Sequence, residues 1–155
     1  MKNSLVAVLW FSTGIAVGAQ NPHEIAAAQQ DESCLSCHAT MPEQGVTTST
    51  LAVKPDMAGY RGDGIQLCVS CHDVAEQSHK VGVTMDFTVP ADLPLGEEQA
   101  ITCLTCHYTH GSLRSDRPWA SVSIMERLLN DERMSKSFLL RRNNVDGELC
   151  LTCHR

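Results

Sequence analysis

The sequence predicts one small, mostly irregular domain with short α-helices and few residues for a hydrophobic core. Aromatic residues make up only 5% of the 155 residues, and many of the aliphatic ones lie within residues 1–19. Beyond them, one segment has a convincing helical period, whereas residues 42–66 and 84–100 are rich in Gly, Pro, Thr and Asp. Such stretches favour loops or short extended pieces.

Residues 1–19 have the pattern of a secretory signal peptide. A short cationic start precedes an apolar run, and the small residues Gly18 and Ala19 precede the expected cleavage site. The apolar run is shorter than the roughly 20 residues of a membrane span, so we expect cleavage and no stable membrane insertion. Residues 20–155 then form the mature domain, in the periplasm, outside the cell or at its surface.

The chain is acidic, with 12 Lys and Arg against 18 Asp and Glu and a net charge of −6. Cleavage after residue 19 would remove Lys2 and no acidic residue, which makes the mature chain more acidic still. An acidic surface repels nucleic acid and suits cationic or neutral partners. The charge therefore argues against nucleic-acid binding.

All eight cysteines fall in four Cys-x-x-Cys-His segments. Motif one is residues 34–38, motif two 68–72, motif three 103–107 and motif four 150–154. The cysteines are Cys34, Cys37, Cys68, Cys71, Cys103, Cys106, Cys150 and Cys153, and the histidines are His38, His72, His107 and His154.

The histidine that closes each motif indicates covalent haem attachment. Two thiols three positions apart reach the two vinyl groups of one porphyrin, and the next side chain becomes the proximal iron ligand. A disulfide framework gives no reason for these histidines, since four coincidences among 7 His in 155 residues have odds of roughly four in a million. Zinc also binds Cys-x-x-Cys pairs but leaves the histidines unexplained. We therefore predict four haem c groups, around which the polypeptide wraps and without which it does not fold.

The residues around the motifs pair the first with the third and the second with the fourth. Motifs one and three continue as His-x-Thr-[Met/His], which ends at Met41 and His110. Motifs two and four each follow a Gly and a Leu, with the glycines at Gly64 and Gly147. This pattern predicts a two-haem unit that was duplicated.

At these residues the chain resembles the multihaem c-type cytochromes. The resemblance rests on residues 78–83, 103–111, 139–141 and 147–154, and it covers most of the chain from Asn21 onward. It implies a small multihaem cytochrome c fold with stacked haems. The implied function is a one-electron relay to redox partner proteins or extracellular acceptors, not an enzymatic one. A subunit of a self-assembling extracellular filament is the alternative, and a haem reductase with one open axial site is a third reading.

Three histidines remain for the second axial position of four irons. An exposed iron takes a sixth ligand, and the resemblance implies distal histidines at His79 and His110. His23 is the third candidate. We expect His110 to reach a neighbouring haem, because it lies three residues after a proximal histidine and its own porphyrin is on the wrong side. One haem must therefore lack a second histidine.

Three solutions stay open for that haem. Met41 occupies the position in motif one that His110 has in motif three, and a thioether ligand raises the reduction potential, although methionine also packs readily against porphyrin. A neighbouring copy could donate His23 within a filament, although each copy still brings only seven histidines. The position could also be open to small molecules. Other methionines could replace Met41, namely Met57, Met85, Met125 and Met134.

The one predicted helix is expected to pack against haem edges, with Asp116 as its N-cap and Pro118 in its first turn. Its apolar face comprises Trp119, Val122, Met125, Leu128 and Leu129. The last motif is followed only by Arg155, so we expect an exposed edge of haem four unless residues 108–146 cover it. Arg141 and Arg142 either pair with haem propionates or are solvated.

Overall fold

The computed structural model describes residues 21–24, 32–42, 57–74 and 80–154. The predicted signal peptide, His79 and much of the first predicted loop lie outside the described residues.

Short helices separated by irregular chain make up the described fold. The α-helices there are α1 (Gln66–Val69), α2 (Cys103–Cys106), α3 (Ile124–Leu129), α4 (Asp131–Met134) and α5 (Glu148–Leu151), and short 3-10 helices lie at Glu32–Ser36, Met57–Gly59 and Glu97–Gln99. Over the same residues, extended segments pair only at isolated antiparallel bridges and form no strand. The predicted fold class, mostly irregular with short α-helices, is confirmed.

Few side chains are buried in this part of the chain. The buried hydrophobic residues are Leu93, Leu104, Met134 and Leu149, which are 2 to 7% exposed. Leu104 and Leu149 belong to α2 and α5, so this small core lies behind the helices that carry motifs three and four. Thr105 is buried with them, and its hydroxyl donates to the carbonyl of Pro94 at 2.7 Å. Four apolar side chains are too few to stabilise a domain against its loss of conformational entropy.

Helix α3 begins later than the sequence predicts. It starts at Ile124, and its N-cap is Ser123, whose hydroxyl accepts a hydrogen bond from the backbone N–H three residues on, at 3.2 Å. A backbone hydrogen bond from Ser121 to Val145 (2.8 Å) engages the preceding segment in a tertiary contact, which excludes it from the helix. The prediction of Asp116 as the N-cap is therefore wrong.

The apolar face of α3 does not contact the rest of the described polypeptide closely. Its side chains are 65 to 80% exposed, namely Ile124, Met125, Leu128 and Leu129. Trp119, predicted on the same face, packs elsewhere: its ring meets Phe138 edge-on at 5.4 Å and the Arg133 guanidinium at 5.3 Å. The proposed contact of this face with haem edges stays a prediction.

Gly147 sets the approach of the chain to motif four. It is the residue before α5 and has φ +78°, in the left-handed region that side chains with a Cβ disfavour. A methyl group there would meet only Leu151, at 3.6 Å, which is ordinary contact. The penalty for a larger residue is therefore conformational rather than steric.

We expect Gly147→Ala to lower the free energy of unfolding of the haem-loaded protein by about 1 kcal/mol, because alanine is strained at positive φ. Gly59→Ala is the matched control, since a Cβ at Gly59 meets nothing within 4 Å. Thermal unfolding followed by circular dichroism measures both. An equal change in the two variants would contradict the conformational explanation.

Candidate haem sites

Each of the four motifs forms one helical turn. The backbone N–H of the histidine donates to the carbonyl of the first cysteine, four residues earlier, at 2.9 to 3.0 Å. The donors are His38, His72, His107 and His154. Residues three and four apart on such a turn face the same side. Each motif therefore presents two thiols and one imidazole together.

The arrangement of the cysteines bears on the two alternatives to haem. All eight lie within the described residues, and all are free thiols. The described part of the chain also contains no group of three or more His, Cys, Asp or Glu side chains that could hold a metal ion. Each turn places two thiols and one imidazole on one side, which is the set of groups that haem attachment requires.

Thiols of consecutive motifs lie close to one another. Cys68 of motif two and Cys103 of motif three share a hydrogen bond, which raises the pKa of Cys68 and lowers that of Cys103 to about 7. Burial raises the pKa of Cys106, and the nearby thiols of motif four raise it further. Burial likewise raises the pKa of Cys37 in motif one, with a smaller contribution from Cys71 in motif two. Thiols of motifs one and two, of two and three, and of three and four are therefore neighbours.

Motifs one and three are held by the same backbone contacts. In both, the backbone N–H of the residue after the histidine donates to a carbonyl further along the chain. Two positions beyond that carbonyl, the backbone N–H of an arginine donates to the carbonyl of the motif's second cysteine. The pairs are Ala39 to Gly59 (2.9 Å), Arg61 to Cys37 (2.9 Å), Tyr108 to Leu139 (2.7 Å) and Arg141 to Cys106 (2.9 Å). This repetition in structure parallels the repetition in sequence.

The proximal imidazoles of these two motifs are oriented by neighbouring groups. Nδ1 of His107 is 2.6 Å from the carbonyl oxygen of Phe138, and the ring of His38 stacks on Tyr60 with centroids 4.7 Å apart. An imidazole that donates through Nδ1 keeps Nε2 as the free lone pair for a metal. Phe138 and Leu139 have φ of 49° and 51°, so the carbonyl that orients His107 lies in strained backbone.

The two other described histidines each face one proximal histidine. The ring centroid of His110 is 6.4 Å from that of His38, with the planes 8° apart, and His23 is 6.0 Å from His72, at 30°. Nδ1 of His23 is 2.7 Å from the carbonyl oxygen of Thr109. Burial lowers the pKa of His110, with further contributions from His38 and His23, which favours the neutral imidazole that binds metals.

The residues present fit haem c. Nδ1 of His110 and Nε1 of Trp119 are buried without a hydrogen-bond partner in the described residues. Buried polar atoms of this kind normally have a partner, and a haem offers both an iron and propionate oxygens. The four turns also present the thiol pairs that attach a porphyrin. Because the polypeptide buries few apolar side chains of its own in the described residues, a porphyrin would supply most of the buried apolar surface.

Met41 is the remaining predicted ligand, and it lies at the surface with 37% of its area exposed. Of the alternative methionines, Met134 is buried in the small core and Met125 is exposed on α3. His79, the third predicted distal histidine, lies outside the described residues.

The two arginines before motif four contact protein groups. Arg142 donates through Nε and Nη2 to the two carboxylate oxygens of Asp92, both at 2.6 Å, and through Nη1 to Thr152 of motif four at 3.2 Å. Arg141 donates to the carbonyl of Leu104 at 2.6 Å, and its guanidinium lies 4.6 Å from the Tyr108 ring centre. Sequence reasoning missed Asp92, because it is 50 positions away from Arg142 and no local pattern connects them.

The bond with Arg142 lowers the pKa of Asp92. A carboxylate with a lowered folded-state pKa stabilises the fold above its unfolded pKa of about 3.9, and this contribution is lost as the pH falls through the folded-state value. We expect Asp92→Asn to reduce the free energy of unfolding at neutral pH by about 1 kcal/mol or less, as for a partly exposed ion pair. The difference should vanish in acid.

Chemical unfolding of the haem-loaded variant across this pH range measures the effect. Asp86→Asn, which changes another exposed aspartate, is the control and should leave the pH dependence unchanged. A loss of stability in Asp92→Asn that persists at low pH would contradict the electrostatic origin.

A family model described as "Cytochrome c7 and related cytochrome c" matches residues 19–108, which is more than half of the chain. The matched residues contain motifs one, two and three, and motif four lies beyond them. No curated protein and no solved structure gives a significant match. In the described residues, no helix has both the length and the apolar character to span a membrane.

Proposed function

We propose that this chain relays single electrons through four haem c groups outside the cytoplasm. It belongs to the cytochrome c7 and related cytochrome c family, whose members are multihaem electron-transfer proteins. The observation that carries the proposal is the recurrence of one helical turn at four motifs, each presenting two free thiols and a histidine. Motif four has this geometry although it lies beyond the family match.

The side chains have three roles in this proposal. The eight cysteines bind the porphyrins as thioethers, and the four motif histidines are the proximal ligands. His23, His79 and His110 are distal ligands. Haem supplies the one-electron chemistry of its iron. The polypeptide fixes the ligands, the spacing of the sites and their exclusion from water, as the close thiols of consecutive motifs illustrate.

The proposed setting is the periplasm or the cell exterior. The signal-peptide pattern of residues 1–19 supports export, and the covalent attachment of haem by thiols is a property of exported cytochromes. The excess of acidic residues suits redox partners with a cationic or neutral docking surface, or extracellular acceptors.

The chain is proposed to consist of two related two-haem units. The matching backbone bonds at motifs one and three support this, since they occur at corresponding positions after each histidine. The correspondence also aligns Met41 with His110. Met41 is our candidate for the second axial ligand of the haem that lacks a second histidine.

The count of haems is tested by intact mass and by the pyridine haemochrome assay on the native protein. We expect four haems per chain. Replacing both thiols of motif four, as Cys150→Ser with Cys153→Ser, should reduce the count to three. A wild-type count of three would disprove attachment at motif four, and colourless material would disprove the proposed function altogether.

Ligation by Met41 is tested by near-infrared magnetic circular dichroism. We expect a methionine-to-iron charge-transfer band from about one haem in four, and Met41→Leu should abolish it. Met57→Leu is the control and should retain the band. A wild-type spectrum with bis-histidine features alone would contradict a methionine ligand.

The exposed face of α3 favours a second candidate function. Four apolar side chains on this face are 65 to 80% exposed from the polypeptide. Where haem does not cover them, they would suit association between copies of the chain in a filament. The relay would then run along the polymer. Size-exclusion chromatography and negative-stain microscopy of the native protein separate a filament from a soluble carrier.

A further inference from the structure

The spacing of two histidine pairs matches that of two ligands on one iron. A metal–imidazole nitrogen bond is roughly 2 Å long, and a ring centre lies about 1.2 Å from its nitrogen. Two imidazoles on opposite sides of one iron therefore have centroids about 6.4 Å apart. The measured separations are 6.4 Å for His38 and His110 and 6.0 Å for His72 and His23.

The rings of the two histidine pairs lie farther apart than the other contacting rings of the described residues. His38 stacks directly on Tyr60 with centroids 4.7 Å apart, and the edge-on pair of Trp119 and Phe138 has planes 69° apart. His38 and His110 are nearly parallel, at 8°, yet 6.4 Å apart. Offset rings pack with centroids about 4.5 to 7 Å apart. The two separations lie near the upper end of that range, where they also equal the spacing of two imidazoles on one iron.

The hydrogen bonds of the same histidines agree with iron binding. Nδ1 of His23 faces the carbonyl of Thr109 at 2.7 Å, which fixes a tautomer with Nε2 free for a metal. The backbone N–H of Gly111 also bonds to the His23 carbonyl, at 3.4 Å.

We propose that His110 binds the iron of haem one opposite His38, and that His23 binds the iron of haem two opposite His72. This rests on the proposed function, because it requires haem at motifs one and two. It deepens that function by assigning each distal histidine to a haem.

The assignment links three haems through one short segment. His107 is the proximal ligand of haem three, His110 completes haem one, and Thr109 between them orients the histidine that completes haem two. Three residues of chain span at most about 10 Å, so haems one and three must lie close together. The haem that lacks a second histidine is then haem three or haem four.

The test uses the fully loaded protein and two single variants, His110→Ala and His23→Ala. Each should convert one haem in four from low-spin to high-spin in electron paramagnetic resonance spectra of the ferric protein, and added imidazole should reverse the change. Proton NMR of the reduced protein identifies the affected haem through the residues between its cysteines. His110→Ala should perturb the signals of Leu35 in motif one, and His23→Ala those of Val69 in motif two.

Thr109→Ala is the matched control, since it changes a neighbouring side chain and keeps the carbonyl that His23 contacts. It should leave all four haems low-spin. The proposal is overturned if His110→Ala perturbs Leu104 in motif three instead of Leu35, or if either variant produces no high-spin haem.

The wild-type protein gives an independent measurement if a variant fails to mature. In the reduced state, the ring protons of His110 should show nuclear Overhauser contacts to the porphyrin attached at Cys34 and Cys37. Contacts to the porphyrin attached at Cys103 and Cys106 would overturn the assignment. Four haems per chain with the wrong contacts would refute the assignment alone, whereas a protein without haem would refute the proposed function.

Discussion

The hydrogen bond that closes each Cys-x-x-Cys-His turn is the constraint on which the rest of the structure depends. It joins the histidine N–H to the first cysteine carbonyl at 2.9 to 3.0 Å in all four motifs, and it places two sulfurs and an imidazole on one side of a single helical turn. A helix this short is not stable by itself. The geometry of each turn therefore depends on the haem proposed to bind there and on a few buried side chains next to it, such as Leu104 and Leu149.

Backbone hydrogen bonds around the motifs fix the conformation of a chain that has only a small hydrophobic core. Motifs one and three are each held by a pair of main-chain bonds to a downstream segment, and the arginine of each segment reaches back as well, Arg61 to the carbonyl of His38 and Arg141 to that of Leu104. Backbone polar groups must be satisfied wherever they are covered. In this protein, backbone hydrogen bonds hold the segments around the motifs together, because few apolar side chains pack against one another in the described residues.

Local patterns in the sequence predicted the features that depend on neighbouring residues. The sparse helices were accessible from composition, and the family from the spacing of cysteines and histidines. The start of α3 was not, because the bond between Ser121 and Val145 overrides the local pattern. Asp92 was missed for the same reason, since its partner is 50 positions away. The sequence predicted that His110 reaches a neighbouring haem, but not that its ring faces His38, because sequence spacing does not say which motifs are neighbours in space.

The contact between His23 and Thr109 joins residues 86 positions apart, and this has a consequence for how the protein matures. Contacts of such long range form slowly and late, because a long loop must close first. Before this contact forms, the segment around Thr109 does not yet lie against the first two motifs. Haem can therefore be attached to the first two pairs of thiols before the contact of His23 with Thr109 closes that loop.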